Sequence, residues 1–448
     1  MTVSRLSYLL ALVLAAPLIA ATPSRSEQGA ADAFVGNASC SSTSCHGSAT
    51  PRTNTRLDLN EARIWGGLAG GKPDKHANAF KVLGDPFGTR IAKNLGLGKA
   101  TEAARCLACH SPSAADDRRG PLYTTNEGVA CENCHGAGAR WLDSHAKGAS
   151  HAENVKLGMI DTKDIARRAA QCLKCHLGSG DRRVDHELIA AGHPDLTFEL
   201  DTYTATMPPH WKTSHDPLEH LRNWAIGQAS QLKAQMEYVV LIAGDGRWPD
   251  YARLDCAACH HPIQAPTAQW RLSQDKHGRT PGRPPFNAAQ YALFSHLAHE
   301  VNPGQAASLD HAYRSAAATL TGLQPGRSAA SDSASRAATE ATGLLSCVEA
   351  QKYDAAFAHR LLKSVTKDGD AIANLGPRAA LQTVWLIDML LRVPHETDKH
   401  GGAYPDDVKS LMEDLYHQVD HLSEFNAPHF AASLKRIATW AERLPAVR

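Results

Sequence analysis

The chain has 448 residues, a formal charge of +1, 24 histidines, 11 cysteines and only 6% aromatic residues. The near-zero charge gives no strong electrostatic bias toward nucleic acid or a membrane surface. The length allows two or three domains, and so many histidines beside so few aromatics point to a core filled in part by something other than side chains.

The N-terminus reads as an export signal. Arg5 supplies a positive start, Leu6 to Ile19 is apolar, and the small residues Ala20 and Ala21 follow. This is too short and wrongly flanked for a spanning helix, so residues 1–22 are expected to be a signal peptide and 23–35 a flexible leader. No later segment has 18 apolar residues in a row, so no stable membrane insertion is expected after cleavage. Export leads to the periplasm, an oxidising compartment where cysteines usually pair. An odd total of 11 needs another account.

Next in the chain comes Cys40-Ser-Ser-Thr-Ser-Cys45-His46-Gly47. Taken alone it fits a local disulfide as well as a metal site. The later clusters decide. They are Cys106-Leu-Ala-Cys109-His110, Cys131-Glu-Asn-Cys134-His135, Cys172-Leu-Lys-Cys175-His176 and Cys256-Ala-Ala-Cys259-His260. Each is C-x-x-C-H, the attachment pattern of c-type haem. The two thiols join the two vinyl groups of one haem, and the next histidine binds the iron. Composition alone predicts about 0.015 such matches in the chain, so four are far beyond chance. Zinc needs paired C-x-x-C units or distant histidines, not a histidine after every second cysteine. In this company the C-x₄-C-H stretch reads as a fifth haem site with a longer loop. Cys347 is left over, on the apolar side of a helix, and is expected to be a buried free thiol.

A haem iron has a second axial position, and its occupant decides between electron transfer and chemistry. Residues 36–270 hold 14 histidines, of which His46, His110, His135, His176 and His260 follow attachment cysteines. Methionine is scarce there, so histidine on both faces, with low potential, is the expectation. The candidates in chain order are His76 in PDKHANAF, His145 in WLDSH, and His186 and His193 in DHELIAAGHPDL. The last two lie on one face if the segment is helical, although Gly192 and Pro194 suggest a helix end. The fifth partner stays open among His210, His215, His220 and His261, with His210 favoured, and one iron could be open or bind water. His296 or His299 could also serve the last haem.

The clearest helix is 221–244, amphipathic in rhythm, with Trp224, Ile226, Leu232, Met236, Val239 and Val240. Residues 271–287 are rich in Pro, Gly and Arg and read as a linker. From 288 to 448 helical spacing predicts helices at 287–300, 306–323, 333–349, 352–365, 377–392, 405–422 and 428–443, an α-helical bundle.

The runs GVACENCHGAGARWLDSH, DHELIAAGHPDLTFEL and YARLDCAACHHPI resemble secreted multihaem cytochromes c. The nearest superfamily is that of the tetrahaem cytochrome that accepts electrons from hydroxylamine oxidoreductase. The likeness covers about residues 36–270. It implies a mainly α fold, helices and long loops wrapped around packed haems, with His76, His145, His186 and His193 as distal ligands. The family has four attachment sites and this chain offers five, the first with a widened spacing.

The expected function is one-electron transfer between a redox protein donor and acceptor, through five covalently held haems c. The alternative is an oxidoreductase acting on a small nitrogen or sulfur oxyspecies at a haem with an open distal face. That haem would be the one on Cys256 and Cys259, with Arg247, Tyr251, Arg253 and His261 near it in sequence. A third reading has the C-terminal helices docking onto a membrane oxidoreductase.

Overall fold

The computed structural model describes residues 32–52, 57–214, 216–256, 259–260, 283–321, 326–396, 406–421 and 424–443. The fold is mainly α. Among the described residues the only β pairing is three isolated bridges: Phe34 with Arg119, Ser179 with Arg182, and Leu254 with Phe286. The expected signal peptide, His215, His261 and most of the expected linker lie outside the described residues.

The first part of the chain consists of short helices joined by loops. They are α1 (Glu61–Trp65), α2 (Pro86–Asn94), α3 (Ala104–His110), α4 (Cys131–His135), α5 (Leu142–Ala146), α6 (His151–Lys156), α7 (Ile165–His176), α8 (His186–Ala190) and α9 (Leu200–Thr206). Most run to only two turns, too short to be stable alone. Polar caps mark several starts: Asp164 accepts from the Arg167 amide, Asp185 from Leu188 and Glu199 from Asp201 and Thr202. Apart from the helices that continue the chain, the described side chains here bury only small apolar clusters. One is Ala169, Leu173, Leu177, Phe198 and Leu200. Others are Ile91, Val184, Leu188 and Ala191, and Leu83, Ala92 and Ala100.

The second part is built of long helices: α10 (Pro217–Gly244), α11 (Ala289–Val301), α12 (Pro303–Leu320), α13 (Arg327–Ala350), α14 (Ala355–Lys367), α15 (Gly369–Asn374), α16 (Pro377–Glu396), α17 (Asp406–Asp420) and α18 (Ala427–Ala441). The helices expected from residue 287 onward recur with shifts of a few residues at their ends, and α15 is an addition. Asp216 caps α10 by accepting from the Leu218 amide, with Pro217 in the first turn.

Helix α10 differs from its expected amphipathic character. Besides Leu221, Trp224, Ile226, Leu232, Met236 and Val239, its polar Gln228, Ser230, Gln231 and Gln235 are buried too. The reason is position: α13 covers one side, α7 another, and α11 and α16 the rest. Ala330, Ala334, Ala337 and Ala341 of α13 are fully buried, and such small residues let two helices approach closely. Gln228 Nε2 donates to Gln382 Oε1 across this core at 3.3 Å. Each large apolar side chain buried here contributes about 2 kcal/mol. Trp224→Ala alone would cost about 3–5 kcal/mol. Cys347 is half-buried rather than buried, because it sits beside polar side chains; its thiol donates to Gln305 Oε1 at 3.2 Å.

Candidate haem sites

Three of the C-x-x-C-H runs fall on helical turns, at the end of α3, as α4 and at the end of α7. One turn of helix brings the first cysteine, the second cysteine and the histidine to one face. At Cys256 the same turn recurs, with the Cys259 and His260 amides donating to the Cys256 carbonyl at 3.1 and 2.7 Å. The widened first site reaches the same arrangement by another route. The Cys45 and Gly47 amides fold back onto the Ser42 carbonyl, and the His46 amide donates to the Cys40 carbonyl at 3.1 Å. The extra residues form a loop outside the ring, leaving the histidine amide on the first cysteine's carbonyl as in the ordinary motif. A Cβ on Gly47 would meet the Ser41 carbonyl oxygen at 2.0 Å, so only glycine closes this loop.

An imidazole nitrogen sits about 2 Å from a first-row metal, so imidazoles on opposite faces of one iron hold their ring centroids about 6 Å apart. Four of the motif histidines face a distant histidine at this spacing. His46 and His145 are 5.9 Å apart and 13° from parallel. His186 and His260 are 6.3 Å apart at 26°. His76 and His176 are 6.1 Å apart at 86°, and His110 and His193 are 6.3 Å apart at 89°. Among the described residues no ring stands opposite His135 in this way. His210 is the first neighbouring charge, after burial, in holding His135 down to about 4.

The pairing places the sequence candidates. His186 and His193 do not share one partner: α8 ends at Ala190, Gly192 takes a left-handed φ of 115°, and the two rings go to different motifs. The last motif histidine, for which no partner could be read from sequence, has His186. His296 and His299 are engaged elsewhere, His296 with Ser364 and His299 with Asp310. Arg247 is held by Asp245, and Arg253 by Asp250 and the Val184 carbonyl.

Hydrogen bonds leave the outer ring nitrogen of several candidates free. Nδ1 of His46 bonds Glu61 Oε2 at 2.8 Å, and Nδ1 of His76 bonds Asp74 Oδ1 at 3.0 Å. His110 and His193 use Nδ1 on the carbonyls of Ala79 and Pro194, at 2.7 and 2.8 Å. Such contacts orient a metal-binding imidazole and present Nε2. His151 is the reverse case, with Nε2 bonded to Asp161 Oδ1 at 2.9 Å. Burial, assisted by His76, pushes His176 down to about 4, and burial also lowers His110, His145, His193 and His210. Neutral imidazole is the form that ligates metal.

The attachment segments are tied to one another. Glu132, inside the third motif and 5% exposed, accepts from the Val35 and Gly36 amides at 2.8 Å each and from Gly138 at 2.6 Å. The Cys131 thiol donates to Asn37 Oδ1 at 2.8 Å. Gln171 of the fourth motif's helix bonds the Asn133 carbonyl, and Arg182 bonds the Ala108 carbonyl of the second at 2.9 Å. No disulfide joins any of the cysteines. Among the described residues no three or more His, Cys, Asp or Glu side chains converge as a zinc site requires. The residues present fit haem c: thiol pairs beside a histidine, and a second histidine at the span of one iron.

Fold and geometry together fit a cytochrome c-type domain. Residues 71–136 match the family model described as "Cytochrome c554 and c-prime". This segment contains His76 and the C-x-x-C-H runs at Cys106 and Cys131, and the match supports a cytochrome c-type domain with covalent haem c and a role in electron transfer. No curated protein and no solved structure matches the chain. No helix among the described residues is long and apolar enough to cross a membrane.

Proposed function

We propose that the chain is a periplasmic five-haem c-type cytochrome that passes electrons one at a time between redox protein partners. The observation that carries this reading is the set of four ring pairs, each joining a motif histidine to a distant one across 5.9 to 6.3 Å. In this reading the haems are held by Cys40 and Cys45 with His46 and His145, and by Cys106 and Cys109 with His110 and His193. Cys172 and Cys175 serve with His176 and His76, and Cys256 and Cys259 with His260 and His186. The fifth pair is His135 and His210, on Cys131 and Cys134. When bound, each haem iron supplies a one-electron couple, at low potential where both axial ligands are histidine. Burial favours the neutral form of His110, His135, His145, His176, His193 and His210, and hydrogen bonds orient His46, His76, His110 and His193. Residues 36–270 carry the haems, and 288–448 form the helical part behind the 271–287 connection.

The reading is tested by the optical spectrum of the dithionite-reduced, haem-loaded protein with and without carbon monoxide. No change is expected, because the four ring pairs and the proposed pair of His135 with His210 leave no iron open. A change amounting to one haem would overturn the full pairing and point to the iron on His135; nitrite, hydroxylamine and sulfite are then the substrates to try. His186→Ala or His193→Ala is expected to turn one low-spin haem high-spin. An unchanged spin count removes that assignment.

A further inference from the structure

The start of α16 is one of the places where the C-terminal helices meet the haem-bearing part. Arg378 lies in its first turn, after Gly376 at φ 95°. Its side chain is 16% exposed and pairs with the Asp195 carboxylate. The same guanidinium places Nη2 3.3 Å from Cys256 Sγ. Further along the helix, Gln382 donates to the Phe198 carbonyl at 2.9 Å, and the Phe198 ring stacks on His176 at 4.8 Å. The charged groups acting on Cys256 are Arg378 first, then Asp195 and Asp255.

We propose that Arg378 raises the reduction potential of the haem on Cys256 and Cys259, so that the C-terminal domain sets the potential of the last haem. The inference rests on the five-haem reading above. Oxidising an iron between two neutral histidines adds one positive charge to the site. A fixed cation beside the attaching sulfur disfavours that oxidised form, and a carboxylate favours it. Arg378 is itself little exposed whereas Cys256 is exposed, so water screens the interaction in part and the shift is expected to be modest. Without Arg378, the Asp195 and Asp255 carboxylates would dominate and the potential would fall. An ordinary inter-domain ion pair would act on stability alone.

The test is a spectroelectrochemical titration of the full-length haem-loaded protein. Arg378→Gln is expected to lower one component of the five and leave the others in place. Arg378→Lys, which keeps the charge, is expected to hold that component near its original value. Asp195→Asn breaks the same ion pair but leaves the cation, and is expected to raise the component. If the Gln and Asn variants move it the same way, or neither moves it while both lower thermal stability, the pair is structural and the proposal fails. The double variant Cys256→Ala with Cys259→Ala separates the two ideas. Five haems still present would overturn the assignment of this site; four haems in the double variant, together with five components unmoved by Arg378→Gln in the otherwise unaltered protein, would overturn only the role of Arg378.

Discussion

The His110 and His193 rings stand edge to face, 89° between planes, with centroids 6.3 Å apart. His76 and His176 share this crossed arrangement, whereas His46 with His145 and His186 with His260 lie near parallel. The mutual angle of two axial imidazoles sets how far the iron d orbitals split. Parallel planes give a rhombic low-spin signal, and crossed planes a strongly anisotropic one. Electron paramagnetic resonance of the oxidised protein is therefore expected to contain both kinds. His193→Ala should remove intensity from the anisotropic class and His145→Ala from the rhombic class; the reverse would contradict the geometry.

The first attachment loop yields a second expectation. Because the His46 amide already bonds the Cys40 carbonyl, deleting Thr43 and Ser44 leaves the helical form of the motif. The shortened protein should still hold five haems per chain by pyridine haemochrome assay, whereas Cys40→Ala with Cys45→Ala should hold four. Loss of a haem on deletion alone would show that the loop has a role of its own.

Glu199 carries a pH dependence. It is 1% exposed and accepts from the Asp201 and Thr202 amides at 2.9 and 2.7 Å. Burial, then the Asp201 carboxylate, push its carboxyl from 4.5 up to about 7. An acid whose folded value is raised binds its proton more tightly when folded. The stability this adds is full below 4.5 and is lost as pH rises through about 7. A shift of this size corresponds to about 3 kcal/mol. Glu199→Gln should therefore be more stable than the parent near pH 8 and nearly equal near pH 5, by urea unfolding. Equal stability at both values would remove Glu199 as the source.

Glu132→Ala would leave the Val35, Gly36 and Gly138 amides without their acceptor. Buried unsatisfied donors cost about 1–3 kcal/mol each, so a loss of about 3–5 kcal/mol is expected in urea unfolding. Protease cleavage near residue 35 should rise with it. A variant as stable and as resistant as the parent would show that water replaces the carboxylate.

What is legible in the sequence follows how local each demand is. Two thioethers and a proximal ligand need one helical turn, so Cys131, Cys134 and His135 declare themselves in five letters. A distal ligand needs only to arrive from anywhere. His186 and His193 are readable as candidates in one segment, but the turn at Gly192 sends them to different motifs. The partner of His260 is hidden for the same reason. The polar residues of α10 mislead because Gln228 finds Gln382, a partner 154 positions away. The role of Glu132 leaves no trace either: within C-x-x-C-H it occupies a position that any residue can fill. Arg378 looks like one more helix-start cation until the fold sets Cys256 beside it.

The hold of Glu132 on Gly36 spans 96 residues, and this gives assembly a direction. A chain that leaves the ribosome N-terminus first exposes Cys40 early. Residues 35–37 gain their anchor only when the third motif has followed and turned. Long-range closure of this kind comes late in folding. The first site to appear is thus the one whose surroundings are finished after its successors, and until then its thiols must wait unpaired.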